Sequence, residues 1–335
     1  IILQNEFFKE SDRIVDFKAK SENKIIKRID ELEHIYRALM EGLKNYMYKN
    51  GFKTATIGLS GGIDSALTLS IISDLLDSKD IHSYFLPSIY TSKESKDDAM
   101  MLSKNIGIKT IQISIENLRK SVITHLKSTF SGYEDDVTEE NIQSRLRGLL
   151  LMAVSNKYKS LLITTGNKSE LAVGYSTLYG DMSGGYSLLK DVYKTKVFEL
   201  CKWRNKNILE DFKIKKLNII PQQIINKEPS AELRFNQIDK DSLPPYETLD
   251  KILELLIDEN KDLKFIIKKG YKKKLVKKIW KLIKNSEFKR YQCAVGPKIS
   301  KMSLSDDLTK LGELKEKGLL TEEEFNEQKK KLLNQ

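Results

Sequence analysis

Residues 60–65 read Ser-Gly-Gly-Ile-Asp-Ser, where the pattern changes from strand to helix. Ahead of them, 54–59 (TATIGL) is a short β-branched, apolar run of the kind a buried strand needs. Behind them, 66–76 is apolar at helical spacing. A strand, a small-residue loop and a helix N-terminus together make an anion site. Gly61 and Gly62 let the backbone approach a phosphate, and the N–H groups of the first helical turn point at it. Ser60 and Ser65 add hydroxyl donors. Asp64 repels phosphates unless a cation lies between them, and Mg²⁺ is usually held by one or two carboxylates plus phosphate oxygens. The plainer alternative is a glycine-rich turn with an N-capping serine.

The loop lacks the Gly-Lys-Ser/Thr ending of a Walker loop. SGGxDS instead resembles the signature of the ATP pyrophosphatases, which split ATP between the α and β phosphates. The periodicity around it predicts strands at 81–86, 110–113 and 161–165. Helices are expected over 31–49, 97–105 and 195–205, with another capped by Thr138 and running to Asn156. Such alternation means an α/β fold with a doubly wound parallel sheet and ligands at the carboxyl ends of its strands. Residues 174–191 read as an irregular loop. Residues 221–245 carry four of the six prolines and read as an extended surface segment. Helices follow over 246–259 and through the lysine-rich stretch.

Three units are expected: 1–29 as a linker or the end of a missing upstream region, 30–303 as the α/β domain, and 304–335 as a small α-hairpin. In the hairpin, Leu304, Leu308, Leu311 and Leu314 make one stripe, Gly318 breaks it, and Thr321 with Glu324 forms a capping box.

The net charge of +11 suggests nucleic-acid binding, but 261–290 holds thirteen Lys/Arg against Asp262 and Glu287 and so carries all of it. Leu275, Val276, Ile279, Leu282 and Ile283 recur there at helical spacing, which fits an amphipathic helix with a solvated lysine face. No nucleic-acid partner is expected. No apolar run reaches the ~18 residues of a membrane span, the first residues are too charged for a signal peptide, and two cysteines make no disulfide framework. A cytoplasmic home is expected. Cys201 and Cys293 read as core or surface thiols, and the three histidines are too scattered for a zinc site.

A second strand-end loop, Thr164-Thr165-Gly166-Asn167-Lys168-Ser169-Glu170, opens on the same face. Glu170 can be a second Mg²⁺ carboxylate opposite Asp64. Equally, Thr165 can cap a helix and Glu170 can be a solvated first-turn residue. Arg145 and Arg147 are two apart on a helix, so at most one faces a phosphate.

SGGIDSALT, ENIQSRLRG, TTGNKSELAVGYSTLYGDMSGG, LKDVYKT, EPSAELRFNQIDKDSLPPYETLD and FKRYQCAVGPKIS occur in the order found in NAD synthetases. The resemblance spans roughly 31–300 and is closest to the synthetase half of the glutamine-dependent type. It implies ATP-dependent adenylation of the nicotinate carboxylate of deamido-NAD⁺, loss of pyrophosphate with Mg²⁺, and displacement of AMP by ammonia. Matching positions imply that Ser60, Gly61, Gly62, Asp64 and Ser65 bind pyrophosphate, and that Thr165 and Lys194 contact ATP. They imply Mg²⁺ on Asp64 and Glu170, and deamido-NAD⁺ near Asn141, Glu170 and Lys289, under a loop containing Asp181. The family pattern has Pro where Leu188 stands. Nothing before Asp30 matches the Glu-Lys-Cys glutaminase of the glutamine-dependent members, so ammonia is the expected donor and a homo-oligomer the expected assembly. The tail resembles the short C-terminal hairpin module SHOCT. Two other readings stay open: another ATP pyrophosphatase that amidates or thiolates a different acceptor, and an idle nucleotide sensor signalling through the hairpin.

Overall fold

A computed structural model describes Phe8 and residues 29–303. The expected linker, apart from Phe8 and Ile29, and the hairpin at 304–335 lie outside the described residues.

The first helix, α1 (Glu31–Lys49), buries Tyr36, Leu39, Met40, Leu43 and Met47, three or four residues apart. Strand β1 (Ala55–Gly58) follows, buried on both faces, then α2 (Ile63–Leu75), β2 (Ile81–Phe85), α3 (Lys93–Ile106) and β3 (Thr110–Gln112). Helices α4 (Glu116–Leu126) and α5 (Val137–Tyr158) lead to β4 (Leu161–Thr164). Helix α6 (Lys168–Val173) and strand β5 (Tyr186–Ser187) complete the sheet, and α7 (Lys194–Lys206) packs back onto α2.

All strands pair in parallel, in the order β3-β2-β1-β4-β5. The chain winds outward from β1 to β3, then restarts on the other side with β4. The switch point therefore lies between β1 and β4, where Ala55 pairs with both Ile81 and Leu161. Helices α1, α2, α3 and α7 cover one face, and α4 and α5 the other.

Helix α2 is buried from Ser65 through Asp74, so its polar groups need partners within the fold. Ser70 and Ser73 donate to the carbonyls four residues back. Asp74 receives a two-pronged fork from Arg204, Nε at 2.6 Å and Nη2 at 2.8 Å, and the Tyr36 hydroxyl at 2.6 Å.

A second core joins α6 to α9 (Tyr246–Leu253), a π-turn over Glu254–Asp258, α10 (Leu263–Lys268) and α11 (Lys273–Asn285), after a short α8 (Gln222–Asn226). Helix α11 buries Val276, Ile279 and Ile283 and exposes its lysines, as its spacing predicts. The buried Lys168 ammonium ties this layer down, donating to Asp258 (2.8 Å), Ser300 Oγ (2.5 Å) and the Met302 carbonyl (2.7 Å), with Asp191 at 3.1 Å. A last helix, α12 (Glu287–Arg290), precedes a return to the sheet edge, where the Ser187 N–H meets the Val295 carbonyl.

Two local expectations are corrected, and one helix lies outside the sequence reading. Thr138 does not cap α5: Asp136 does, accepting the Thr138 N–H at 2.7 Å, while Glu139 reaches back to the Asp136 N–H. The irregular stretch at 174–191 contains β5, too short to show a period. Helix α4 buries none of its residues, so its core pattern is faint. Among the described residues, no helix is long and apolar enough to cross a membrane.

Candidate active site

The loop after β1 turns on Gly61, whose φ of +82° suits glycine. A Cβ there would meet the Ser95 carbonyl oxygen at 2.1 Å, so both conformation and space require glycine. Ser60 and Ser65 lock the turn: their hydroxyls lie 3.0 Å apart, the Gly62 N–H donates to Ser60 Oγ and Ser65 Oγ donates to the Gly62 carbonyl. The first-turn N–H groups of α2 have no intrahelical acceptors and open at the strand ends.

The loop after β4 comes alongside. Asn167 caps α6 by accepting the Glu170 N–H at 3.0 Å, and its Nδ2 donates to Asp64 Oδ1 at 2.8 Å. Glu170 completes the capping box and also faces the cleft. Glu170 is thus a first-turn residue as one reading has it, but a largely buried one rather than a solvated one, and the cap is Asn167, not Thr165.

Lys194, at the start of α7, places Nζ 2.5 Å from Asp64 Oδ2 and 2.9 Å from Glu170 Oε1. The two carboxylates thus converge on one cation. Desolvation pushes the Glu170 carboxyl up to about 8, with Lys194 opposing and the Asp64 charge adding. The Lys194 ammonium is held above its ordinary value: burial opposes its charge, and Asp64 and Glu170 outweigh burial. Two carboxylates aimed at one point, beside a phosphate-type loop, are a donor set that fits Mg²⁺ shared with phosphate oxygens.

These groups border a cavity of about 300 Å³. Ser60, Gly62, Asp64, Ser65, Thr165, Glu170 and Lys194 all line it, and Asp181 stands further along. Gly61 is turned away onto Ser95. Asn141 and Lys289 do not line it. They hold the loop that carries Asp181: Asn141 Oδ1 accepts the Thr177 hydroxyl, Lys289 donates to the Gly174 and Ser176 carbonyls, and Asp181 accepts the Thr177 N–H.

Several cavity residues escaped the sequence reading. Of the two arginines, Arg147 faces inward, donating to the Leu86 carbonyl at 2.9 Å, and burial pulls its guanidinium down to about 10. Cys293 is half-buried at the cavity wall, whereas Cys201 lies in the core. The expected surface segment at 221–245 is partly a wall of the cavity. Glu232 there accepts the Ser92 and Ser95 hydroxyls at 2.7 and 2.6 Å, and Lys227 donates to Ser95 at 2.5 Å. The available signal was its length: a long proline-rich segment without regular structure inside a compact domain is usually functional. Asp239, buried at the same wall, accepts the Tyr246 hydroxyl on Oδ2 at 2.7 Å.

The sheet order, phosphate-type loop and paired carboxylates define a doubly wound domain of the ATP-pyrophosphatase type. The chain belongs to the NAD synthase family, whose model matches residues 35–293, and residues 306–333 match the Short C-terminal domain. It is 50% identical over 270 residues to the glutamine-dependent NAD(+) synthetase of Rhodobacter capsulatus, covering 81% of this chain and 49% of that one. Against the Thermotoga maritima enzyme of the same name the identity is 47% over 275 residues, 82% of this chain and 46% of that one. The chain thus spans about half the length of these curated relatives. Among solved structures, it is similar to glutamine-dependent NAD+ synthetase from Acinetobacter baumannii in complex with adenosine diphosphate. That match has a TM-score of 0.57 and 39% identity, and covers 84% of this chain and 49% of that one. NMN synthetase from Francisella tularensis matches with a TM-score of 0.64 and 26% identity, over 77% of this chain and 95% of that one.

Proposed function

We propose that this chain amidates deamido-NAD⁺ to NAD⁺ at the expense of ATP, with ammonia as the nitrogen donor for the chain as given. A nicotinate carboxylate oxygen attacks the α-phosphorus of ATP, the bond to the β-phosphate breaks, and pyrophosphate leaves. Ammonia then attacks the activated carbonyl carbon, AMP departs, and the nitrogen sheds a proton to give the amide. No side-chain nucleophile is needed; positioning and charge neutralisation suffice.

The observation that carries this reading is the convergence of Asp64 and Glu170 on one cation beside the Gly61–Gly62 turn. Mg²⁺ bound there would offset the charge of the departing pyrophosphate. The α2 N-terminus, Ser60 and Ser65 would cradle that pyrophosphate. Lys194 and Thr165 would contact ATP, and the loop carrying Asp181, braced by Asn141 and Lys289, would hold the pyridine end of deamido-NAD⁺.

The test is to incubate the 335-residue chain with ATP, Mg²⁺ and deamido-NAD⁺, with either ammonium or glutamine. NAD⁺, AMP and pyrophosphate should form with ammonium and not with glutamine. A carboxylate precursor of NMN is the competing acceptor, because the Francisella tularensis neighbour is an NMN synthetase. Faster turnover of that precursor would overturn the choice of deamido-NAD⁺. Binding of Mg·ATP without any exchange of pyrophosphate would point to the idle sensor.

A further inference from the structure

Lys194 occupies the point between Asp64 and Glu170 where the proposed Mg²⁺ belongs. An ammonium and a divalent cation cannot share that point, so metal entry requires Lys194 to leave. Its side chain is almost wholly buried, 3% exposed, and a desolvated ammonium needs a new acceptor. Asp239 offers one. It is 4% exposed and lines the same cavity, and its Oδ1 has no hydrogen-bond partner. Its other oxygen is fixed by the Tyr246 hydroxyl. The Tyr246 ring lies beneath the lysine, 5.2 Å from Nζ to its centroid. The ring therefore spans from the Lys194 ammonium to the Asp239 carboxylate, and its face attracts a cation in passage. Tyr175 also faces this carboxylate. Lysine's flexible four-carbon stem suits such a swing.

We propose that Lys194 is an internal stand-in cation that yields its place to Mg²⁺ and moves to Asp239, making Asp239 the positioning residue for the displaced lysine. This rests on the metal reading given above. Without metal, the lysine keeps two carboxylates from facing each other unpaired. With metal, Asp239 keeps the lysine charged and buried beside the bound phosphates.

The test is a double-mutant cycle read by Mn²⁺ binding, with free Mn²⁺ followed by electron paramagnetic resonance. The proteins are wild type, Asp239→Asn, Lys194→Met and the double variant. Lys194→Met should bind Mn²⁺ more tightly than wild type, because the competing ammonium is gone. Asp239→Asn should weaken Mn²⁺ binding roughly tenfold in wild type and clearly less in Lys194→Met, a coupling within the range for groups that interact directly. A simple pull of the Asp239 charge on the metal would weaken both backgrounds equally, and that result overturns the exchange while leaving the metal pair standing. Mn²⁺ that binds neither wild type nor Lys194→Met overturns the metal pair and the exchange together. Should Lys194→Met not fold, nitrogen-15 NMR of the lysine ammonium in wild type serves instead. Saturation with Mg²⁺ should move the Lys194 resonance in wild type, and an unmoved resonance with Mg²⁺ bound overturns the proposal.

Discussion

Asn167 joins the two site loops by donating its amide Nδ2 to Asp64 Oδ1 at 2.8 Å, across 103 residues of chain. Its Oδ1 meanwhile caps α6. One side chain thus has two separable jobs. Asn167→Asp should keep the cap, since Asp and Asn cap about equally well. It should lose the donor to Asp64 and set two carboxylates face to face at a buried position, which lowers stability as well. Asn167→Ser keeps a capping oxygen without adding charge, so ATP–pyrophosphate exchange dependent on deamido-NAD⁺ should fall in both variants while urea unfolding falls further in Asn167→Asp. Undiminished exchange would mean that the link between the loops is idle.

Asp64→Asn and Glu170→Gln should each slow that same exchange by on the order of a hundredfold, about 3 kcal/mol, the usual size of one lost electrostatic contact to developing charge. Wild-type exchange in both variants would sink the metal assignment.

Arg204→Met should destabilise the fold by roughly 3–5 kcal/mol, because it leaves Asp74 charged and buried without its fork. Urea titration measures this. A loss under about 1 kcal/mol would mean that the pair is not what fastens α7 to α2.

Burial raises the Asp239 carboxyl above its ordinary value. The folded chain then holds that proton at pH values where the unfolded chain, titrating at about 3.9, has released it. Stability from this group is therefore present below about 3.9 and is lost as pH rises through the raised value. Asp239→Asn should flatten that decline in urea midpoints taken from acid toward neutrality. A parallel decline in the variant would assign the slope to other groups.

Ending the chain at Ser303 should leave turnover of deamido-NAD⁺ nearly unchanged and lower the assembled mass by light scattering. The sequence reads 304–335 as a hairpin of about thirty residues; a unit of that size rarely sustains its own core, so the expectation is that it docks on a partner, for instance its own copy in another subunit. Unaltered assembly would mark the hairpin as a solvated appendage.

Much of this architecture is legible in sequence because parallel α/β folds announce themselves locally. The β1 and β4 runs are short and mostly apolar, β2 sets Ile81, Tyr84 and Phe85 around His82 and Ser83, and the small-residue turn after β1 sits where strand hands over to helix. Asp64 and Glu170 were legible for the same reason: each follows a strand end, and strand ends share a face. What stayed hidden depends on distant partners. Nothing near Lys194 in sequence says that it meets Asp64 across 130 residues. Glu232 is equally mute until Ser92 and Ser95 are brought to it. The cap of α5 was misplaced because Asp136 and Thr138 are both capable caps, and only the reach of Glu139 back to Asp136 decides between them.

Lys168, two positions before Glu170, takes two of its acceptors from the last turn of the described chain, Ser300 and Met302. The family model stops at residue 293, but the fold does not. A protein trimmed to that boundary would strand an ammonium in the interior with only Asp191 and Asp258 left to meet it. The α/β unit therefore ends no earlier than Met302, and the packing of Ser300 and Met302 bears directly on Lys168, two residues before Glu170.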